Sequence, residues 1–180
     1  MKPVTIAIDA MSGDRGPSVV VAAALEAVRE NKALSFILVG IRSELEAFLR
    51  DGHPRIHIAE AADVVRMNER PSHALRHKKS SSMAIALALV RDGEAQGCVS
   101  AGNTGALMAF GRSIIRMYPG IERPAIAKLI PSLRGRCHVL DLGANVDSSA
   151  ENLYQYALMG SLMASAICSQ GEPRVALLNV

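Results

Sequence analysis

The stretch Ser100-Ala101-Gly102-Asn103-Thr104-Gly105-Ala106 is the most phosphate-like part of this sequence. It follows an apolar run, opens a helical pattern and contains only small residues, a composition that lets an anion approach the positive end of a helix. Asn103 and Thr104 offer uncharged hydrogen bonds, and Gly102 and Gly105 clear space around them. The same small residues also suit close packing of a helix on a sheet, so both readings stand. A second turn, Asp9-Ala10-Met11-Ser12-Gly13-Asp14-Arg15-Gly16-Pro17, carries glycines for tight turning and a proline preset for a first helical turn. Its spacing is not GxGxxG, and Asp9 and Asp14 repel a phosphate unless they bind hydroxyls or basic groups. The alternative is a plain connection capped by Asp14.

Cations gather at Arg70-Pro71-Ser72, Arg76, Lys78 and Lys79, just ahead of Ser80-Ser81-Ser82. Such a run holds a phosphate or an acidic partner, or forms a solvated face. His73 and His77 stand four apart, but no Glu follows His73 and no third metal ligand is evident. In Asp141-Leu142-Gly143-Ala144-Asn145-Val146-Asp147, Asn145 is placed to orient a substrate, and Asp141 to accept a proton or fix a basic neighbour. A capping turn ahead of Glu151 explains those residues equally well. Arg123 is a loop cation, a clamp for an anion or a solvated charge. Cys98 falls in an apolar run, which argues against a reactive thiolate. There is no GxSxG elbow, and no Ser or Cys is paired with a defined base, so a covalent acyl-enzyme is not supported.

These turns need elements to position them. Short β-branched runs alternate with stretches of helical period, predicting strands at Val4 to Asp9, Phe36 to Gly40, Ile56 to Ala59, Gly97 to Ser100, Ala125 to Ile130 and His138 to Leu142. Helices are expected over Ser18 to Glu30, Ser43 to Arg50, Ser80 to Gln96, Thr104 to Met117 and Glu151 to Ser169. The last of these is apolar around nearly its whole circumference, so it is expected to be buried or used in an interface. Val175 to Val180 reads as a core strand, cut off by the chain end. The alternation favours a parallel sheet covered on both faces, with ligands at the carboxyl ends of the strands. With 180 residues, 49% of them apolar, the chain is expected to form a single α/β domain over 1–180. A net charge of +3 is too small for a nucleic-acid binder, and three widely spaced cysteines give neither a disulfide framework nor a zinc spacing. A reducing cytoplasm is the expected compartment, and any membrane contact is expected to be peripheral.

Taken together, Ala7-Ile8-Asp9-Ala10-Met11-Ser12-Gly13-Asp14 with Gly16-Pro17, then Arg70-Pro71-Ser72, Ser81-Ser82-Met83, Ser100 to Met108, Glu122-Arg123-Pro124-Ala125 and Leu140 to Asp147 occur in a known order and near a known spacing. The chain resembles the PlsX family of phosphate acyltransferases from one end to the other. The resemblance implies a three-layer α/β/α fold with a mostly parallel sheet, related to the isocitrate and isopropylmalate dehydrogenases and to phosphotransacetylases. It implies a cytoplasmic homodimer, at times at the membrane surface, that converts long-chain acyl carrier protein and inorganic phosphate to acyl phosphate and free carrier protein. The acyl phosphate then goes to a membrane glycerol-3-phosphate acyltransferase for phosphatidic acid and phospholipid synthesis. No metal or organic cofactor is implied. The sequence departs from the pattern at Ser12, where the family usually has Gly, and in ending about halfway through the family's length. Further active-site residues are expected beyond that point, so the isolated portion is expected to be inactive.

For attack of phosphate on a thioester, the residues expected to do chemistry are Asn103, Thr104 and Asn145. Asp9, Gly13, Asp14, Ser100, Gly102, Gly105, Arg123 and Asp141 are expected to line the substrate site, and Arg76, Lys78 and Lys79 to meet the acidic carrier protein. A phosphotransacetylase or a decarboxylating dehydrogenase on the same scaffold is the rival enzyme class, and a phosphate- or carrier-binding module is the non-catalytic one.

Overall fold

The computed structural model describes residues 3–133, 135–143, 145, 147–168 and 172–178. Packing concentrates in two compact units, Met1–Arg116 and Met117–Val180.

The first unit is built on a four-stranded parallel sheet. Its strands are β1 (Val4–Asp9), β2 (Leu34–Gly40), β3 (Ile56–Glu60) and β4 (Gly97–Ser100), in the order β3-β2-β1-β4. Successive side chains of a strand face opposite ways, and the packing follows that period. Ile6, Ile8, Phe36, Leu38, Ile56 and Ile58 meet α1 (Pro17–Glu30) and α2 (Arg42–Leu49) through Val21, Ala24, Val28 and Leu45. On the other face, Ala7, Ile37, Val39 and Ala59 pack against Ile85, Ala86, Leu89 and Val90 of α4 (Ser82–Arg91). The strands are apolar on both sides because both sides are covered, and the expected α/β/α layering with a parallel sheet is what forms.

Helix starts follow local chemistry. Pro17 stands at the beginning of α1, with Gly16 rather than Asp14 at the cap and no side-chain cap bond. The Ser81 hydroxyl accepts from Ala84 N at 3.4 Å, the cap expected from the triple serine. α4 is shorter than the expected Ser80 to Gln96, since Gly93 takes φ +78 and turns the chain toward β4. A helix that the periodicity did not reveal, α3 (Pro71–His77), is only seven residues long and begins at Pro71. The expected Thr104 to Met117 helix divides into α5 (Thr104–Phe110) and a π-helical turn, Gly111–Ile115.

The second unit contains an antiparallel hairpin of β5 (Ala127–Ser132) and β6 (Gly135–Leu140), with Ala127 opposite Leu140, and then α6 (Ala150–Cys168). Both strands start and end a few residues from their expected positions, because turn geometry sets register more firmly than the apolar pattern does. α6 buries Asn152, Gln155 and Tyr156 but leaves Tyr154, Leu162 and Ile167 exposed, so only one side of it is covered. Its expected last residue, Ser169, lies outside the described residues. The core strand expected at Val175 to Val180 does not form over its described part. Residues 175–178 have no strand partner among the described residues, and Leu178 is 87% exposed. An apolar run becomes a strand only when a neighbour completes its ladder. Among the described residues, no helix is long and apolar enough to cross a membrane.

Candidate functional site

The chain winds outward from β1 to β2 to β3 and then returns through α3 and α4 to place β4 on the other side of β1. That reversal makes a switch point between β1 and β4, and in open parallel sheets ligands settle at the carboxyl ends of such strands. Asp9 and Ser100 end the two strands and are register partners.

Their side chains are joined. Asp9 is 1% exposed, and its Oδ2 accepts from Ser12 Oγ at 2.5 Å and from Ser100 Oγ at 2.7 Å. Ser100 Oγ in turn accepts from Gly102 N at 3.1 Å, so the carboxylate reaches the backbone of the next turn through one hydroxyl. The two turns also touch sterically. A Cβ on Gly102 would lie 2.7 Å from Ser12 Cβ and Oγ, and one on Gly13, where φ is +93, would lie 3.2 Å from Ala101 Cβ. Close approach therefore requires glycine at 102, and backbone conformation favours it at 13. Asp14 is exposed at the rim. Burial, and then the Asp9 charge, push the Cys98 thiol up to about 11, leaving it protonated at neutral pH.

Asn103 caps α5, with Oδ1 accepting from Ala106 N at 2.9 Å. Its Nδ2 donates to Glu69 O at 2.8 Å and Met67 O at 2.9 Å, with Arg66 O further away at 3.4 Å. The amide is thus fully engaged in fastening the 66–69 loop to the start of α5. Thr104 and Gly105 beside it are exposed, and a Cβ on Gly105 would meet Pro71 Cγ at 2.8 Å, so glycine there lets α3 and α5 approach.

The basic segment sorts into two kinds of residue. Lys78 is mostly buried, and its Nζ lies 2.6 Å from Val64 O, 3.0 Å from Glu69 Oε2 and 3.3 Å from Asp63 Oδ1. Burial disfavours the Lys78 ammonium, but hydrogen bonds to Glu69 and Asp63 and their charges outweigh it and raise its pKa. Glu69 also receives His73 Nδ1 at 2.8 Å. Burial favours its neutral form, yet hydrogen bonds from His73, Lys78 and Arg66 N, together with the Lys78 charge, bring its pKa to about 2. Arg66, Arg70, Arg76 and Lys79 are exposed around this pair, and Arg66, Arg70 and His73 border a cavity of about 420 Å³ with it. Among the described residues, no group of three or more His, Cys, Asp or Glu is arranged to hold a metal.

A lowered carboxyl pKa means that folding favours the ionised form. The contribution of Glu69 is complete above its ordinary 4.5 and is lost as pH falls toward about 2. Glu69→Gln is therefore expected to lower the thermal midpoint at pH 7. Between pH 4.5 and 2 the gap to wild type should narrow; a constant gap across that window would show that the Glu69 charge has no part in stability.

The remaining expected site residues form a cluster of their own in the second unit. Asn145 Nδ2 donates to Asp141 Oδ1 at 2.8 Å, to Tyr156 Oη at 2.9 Å and, at 3.5 Å, to Pro124 O, next to the exposed Arg123. Ser148 Oγ donates to Asp141 Oδ2 at 2.7 Å, and Asp141 itself takes φ +63. Below it, Glu122 and Gln155 exchange contacts with Asn152 and the chain between them: Glu122 N donates to Gln155 Oε1 at 2.8 Å, and Asn152 Nδ2 to Glu122 Oε2 at 3.1 Å. Ala144 and Val146 of this turn lie outside the described residues. Sequence reasoning missed Glu69, Ser12 and the buried Asn152, Gln155 and Tyr156. The last three were detectable as polar groups three and four residues apart on one face of an apolar helix.

Polar turns meeting at the switch point of a parallel α/β sheet define a small-ligand scaffold of the doubly wound type. The chain matches the family described as "Fatty acid synthesis protein" over residues 4–180, and it belongs to that family. A phosphate acyltransferase of Marinobacter nauticus is 90% identical over 178 residues, covering 99% of this chain and 52% of that protein. Phosphate acyltransferases of Methylococcus capsulatus and Pseudomonas putida are 51% and 54% identical, covering 98% and 100% of this chain and 53% and 54% of their own lengths. The chain thus spans about half the length of the curated relatives it matches. The resemblance to the PlsX phosphate acyltransferases is borne out.

Proposed function

We propose that the whole protein transfers a long-chain acyl group from acyl carrier protein to inorganic phosphate, giving acyl phosphate and free carrier protein. The observation that carries this reading is that relatives named phosphate acyltransferase match the whole segment that builds the β1 and β4 strand ends and the turns that follow them. An oxygen of hydrogen phosphate forms the new C–O bond, the C–S bond breaks, and the departing thiolate takes up a proton. Phosphate is already nucleophilic at neutral pH, so the site needs positioned donors rather than a strong base.

In this reading the turn at 100–105 supplies those donors. Thr104 presents its exposed hydroxyl, Gly102 and Gly105 let the substrate approach, and Asn103 acts by fixing the turn. Asn145, Asp141 and Arg123 are assigned to substrate binding within the second unit. Arg76 and Lys79 steer the acidic carrier protein, and Lys78 between them anchors the end of α3 to Asp63, Val64 and Glu69. The working unit is a cytoplasmic homodimer, peripheral to the membrane, whose product passes to a membrane glycerol-3-phosphate acyltransferase for phospholipid synthesis. The test follows free carrier protein released from long-chain acyl carrier protein by the whole protein as phosphate is titrated. Release should saturate with phosphate and be matched by hydroxylamine-sensitive acyl phosphate; release independent of phosphate would overturn the reading.

A further inference from the structure

We propose that Asp9 makes the site at the carboxyl ends of β1 and β4 selective for a tetrahedral anion that carries a hydrogen, hydrogen phosphate, over one that does not, such as sulfate. This rests on the reading that phosphate binds between β1 and β4. Asp9 is buried with both serine hydroxyls on Oδ2, while Oδ1, equally buried, receives no donor among the described residues. A carboxylate oxygen only accepts, and leaving one unpaired in the interior costs about 1–3 kcal/mol or more. Ser82 Oγ is the other buried side-chain atom without a partner in this unit among the described residues. A hydroxyl can turn its hydrogen toward a neighbour; Oδ1 has no such recourse, because Ser12 and Ser100 hold the carboxylate in place.

The charge around Asp9 supports the same conclusion. Among the described residues no Lys, Arg or His forms an ion pair with it. A carboxylate without a counter-ion repels a bare anion and gains from a ligand that brings its own hydrogen. The 10–16 turn follows Asp9 directly and contacts it through the Ser12 hydroxyl. Its backbone is tied internally by Gly16 N to Gly13 O at 3.3 Å, and Gly13 and Gly16 sit at φ +93 and +56, where glycine moves freely. Hydrogen phosphate places its P–O–H on Oδ1 and keeps its other oxygens for the N–H and hydroxyl donors of the 100–105 turn. Sulfate has the same shape and no hydrogen to give, so the same oxygen that attracts one anion rejects the other.

The experiment measures the phosphate KM of the whole protein, with sulfate and hydrogen arsenate as competitors. In the wild type, arsenate should compete with phosphate and sulfate should not. Asp9→Asn keeps an oxygen for the two serines and puts an N–H donor where the acceptor stood. The ratio of sulfate Ki to phosphate KM should then fall by about tenfold or more, the effect of one hydrogen bond to a charged group. Sulfate that competes with the wild type to within about threefold of phosphate, less than such a bond confers, overturns the selectivity even if Asp9→Asn fails to fold. An unchanged ratio in a folded Asp9→Asn protein overturns it too. Absence of any phosphate-dependent cleavage in the wild type would instead refute the acyltransferase reading, so the two failures are distinguishable.

Discussion

Asn103→Ala is expected to lower stability and turnover together. The side chain caps α5 through Oδ1 and holds the carbonyls of Met67 and Glu69 through Nδ2. Loss of the cap costs about 1 kcal/mol, and loss of the donors to the loop costs about as much again for each bond. The total is roughly 3 kcal/mol, which displaces the thermal midpoint by about 10 °C or more in a unit of this size. Asn103→Ser separates the two functions, since a serine caps the helix but cannot reach the loop carbonyls. It should recover the capping part of the stability and little of the turnover, because the 66–70 loop and the turn at 100–105 are then no longer fastened. If Asn103→Ala kept the wild-type melting temperature and lost only activity, the amide would be contacting substrate and the fastening role would be wrong.

Much of the first unit could be read in the sequence, for a physical reason. Its central strands are covered on both faces, so Val4–Asp9 and Leu34–Gly40 carry apolar residues at successive positions and end sharply. The turns that follow β1 and β4, at Asp9 to Gly16 and at Ser100 to Asn103, were legible as polar punctuation at strand ends. What the sequence did not show is who pairs with whom. That Ser12 and Ser100 share one carboxylate oxygen depends on β1 and β4 becoming neighbours, 91 residues apart for Ser100 and Asp9, and no local pattern encodes that. Lys78 illustrates the same limit. Within the run Arg76 to Lys79 its charge looks like its neighbours', and only the fold commits it to Glu69 and Asp63 while Arg76 and Lys79 stay exposed. In the second unit the strand expected at Val175 to Val180 did not form over its described residues, 175–178, because an apolar run specifies burial and not the partner that provides it.

Gly102→Ala gives the other large effect, and its partner can be named in advance. The added methyl would sit 2.7 Å from Ser12 Cβ and Oγ and 3.0 Å from Met83 Cε. Met83 can withdraw its flexible end, but Ser12 cannot, since its hydroxyl is held on Asp9 at 2.5 Å. Forcing a methyl into packed space costs about 1–3 kcal/mol, and here the displaced group is also a donor to a buried carboxylate. Ser12→Gly removes both atoms that collide. By itself it should destabilise through the lost hydrogen bond, by about 1–2 kcal/mol. Combined with Gly102→Ala, it should cost clearly less than the two single changes added together, since residues in contact couple by about 0.5–3 kcal/mol. Denaturant unfolding of the four proteins measures this directly. Additive costs would mean that the turns after β1 and β4 do not press on each other at Ser12 and Gly102. The link from Asp9 to the turn at 100–105 would then rest on Ser100 alone, whereas strong coupling makes the two turns one mechanical unit in which Ser12 sets how closely residue 102 can approach.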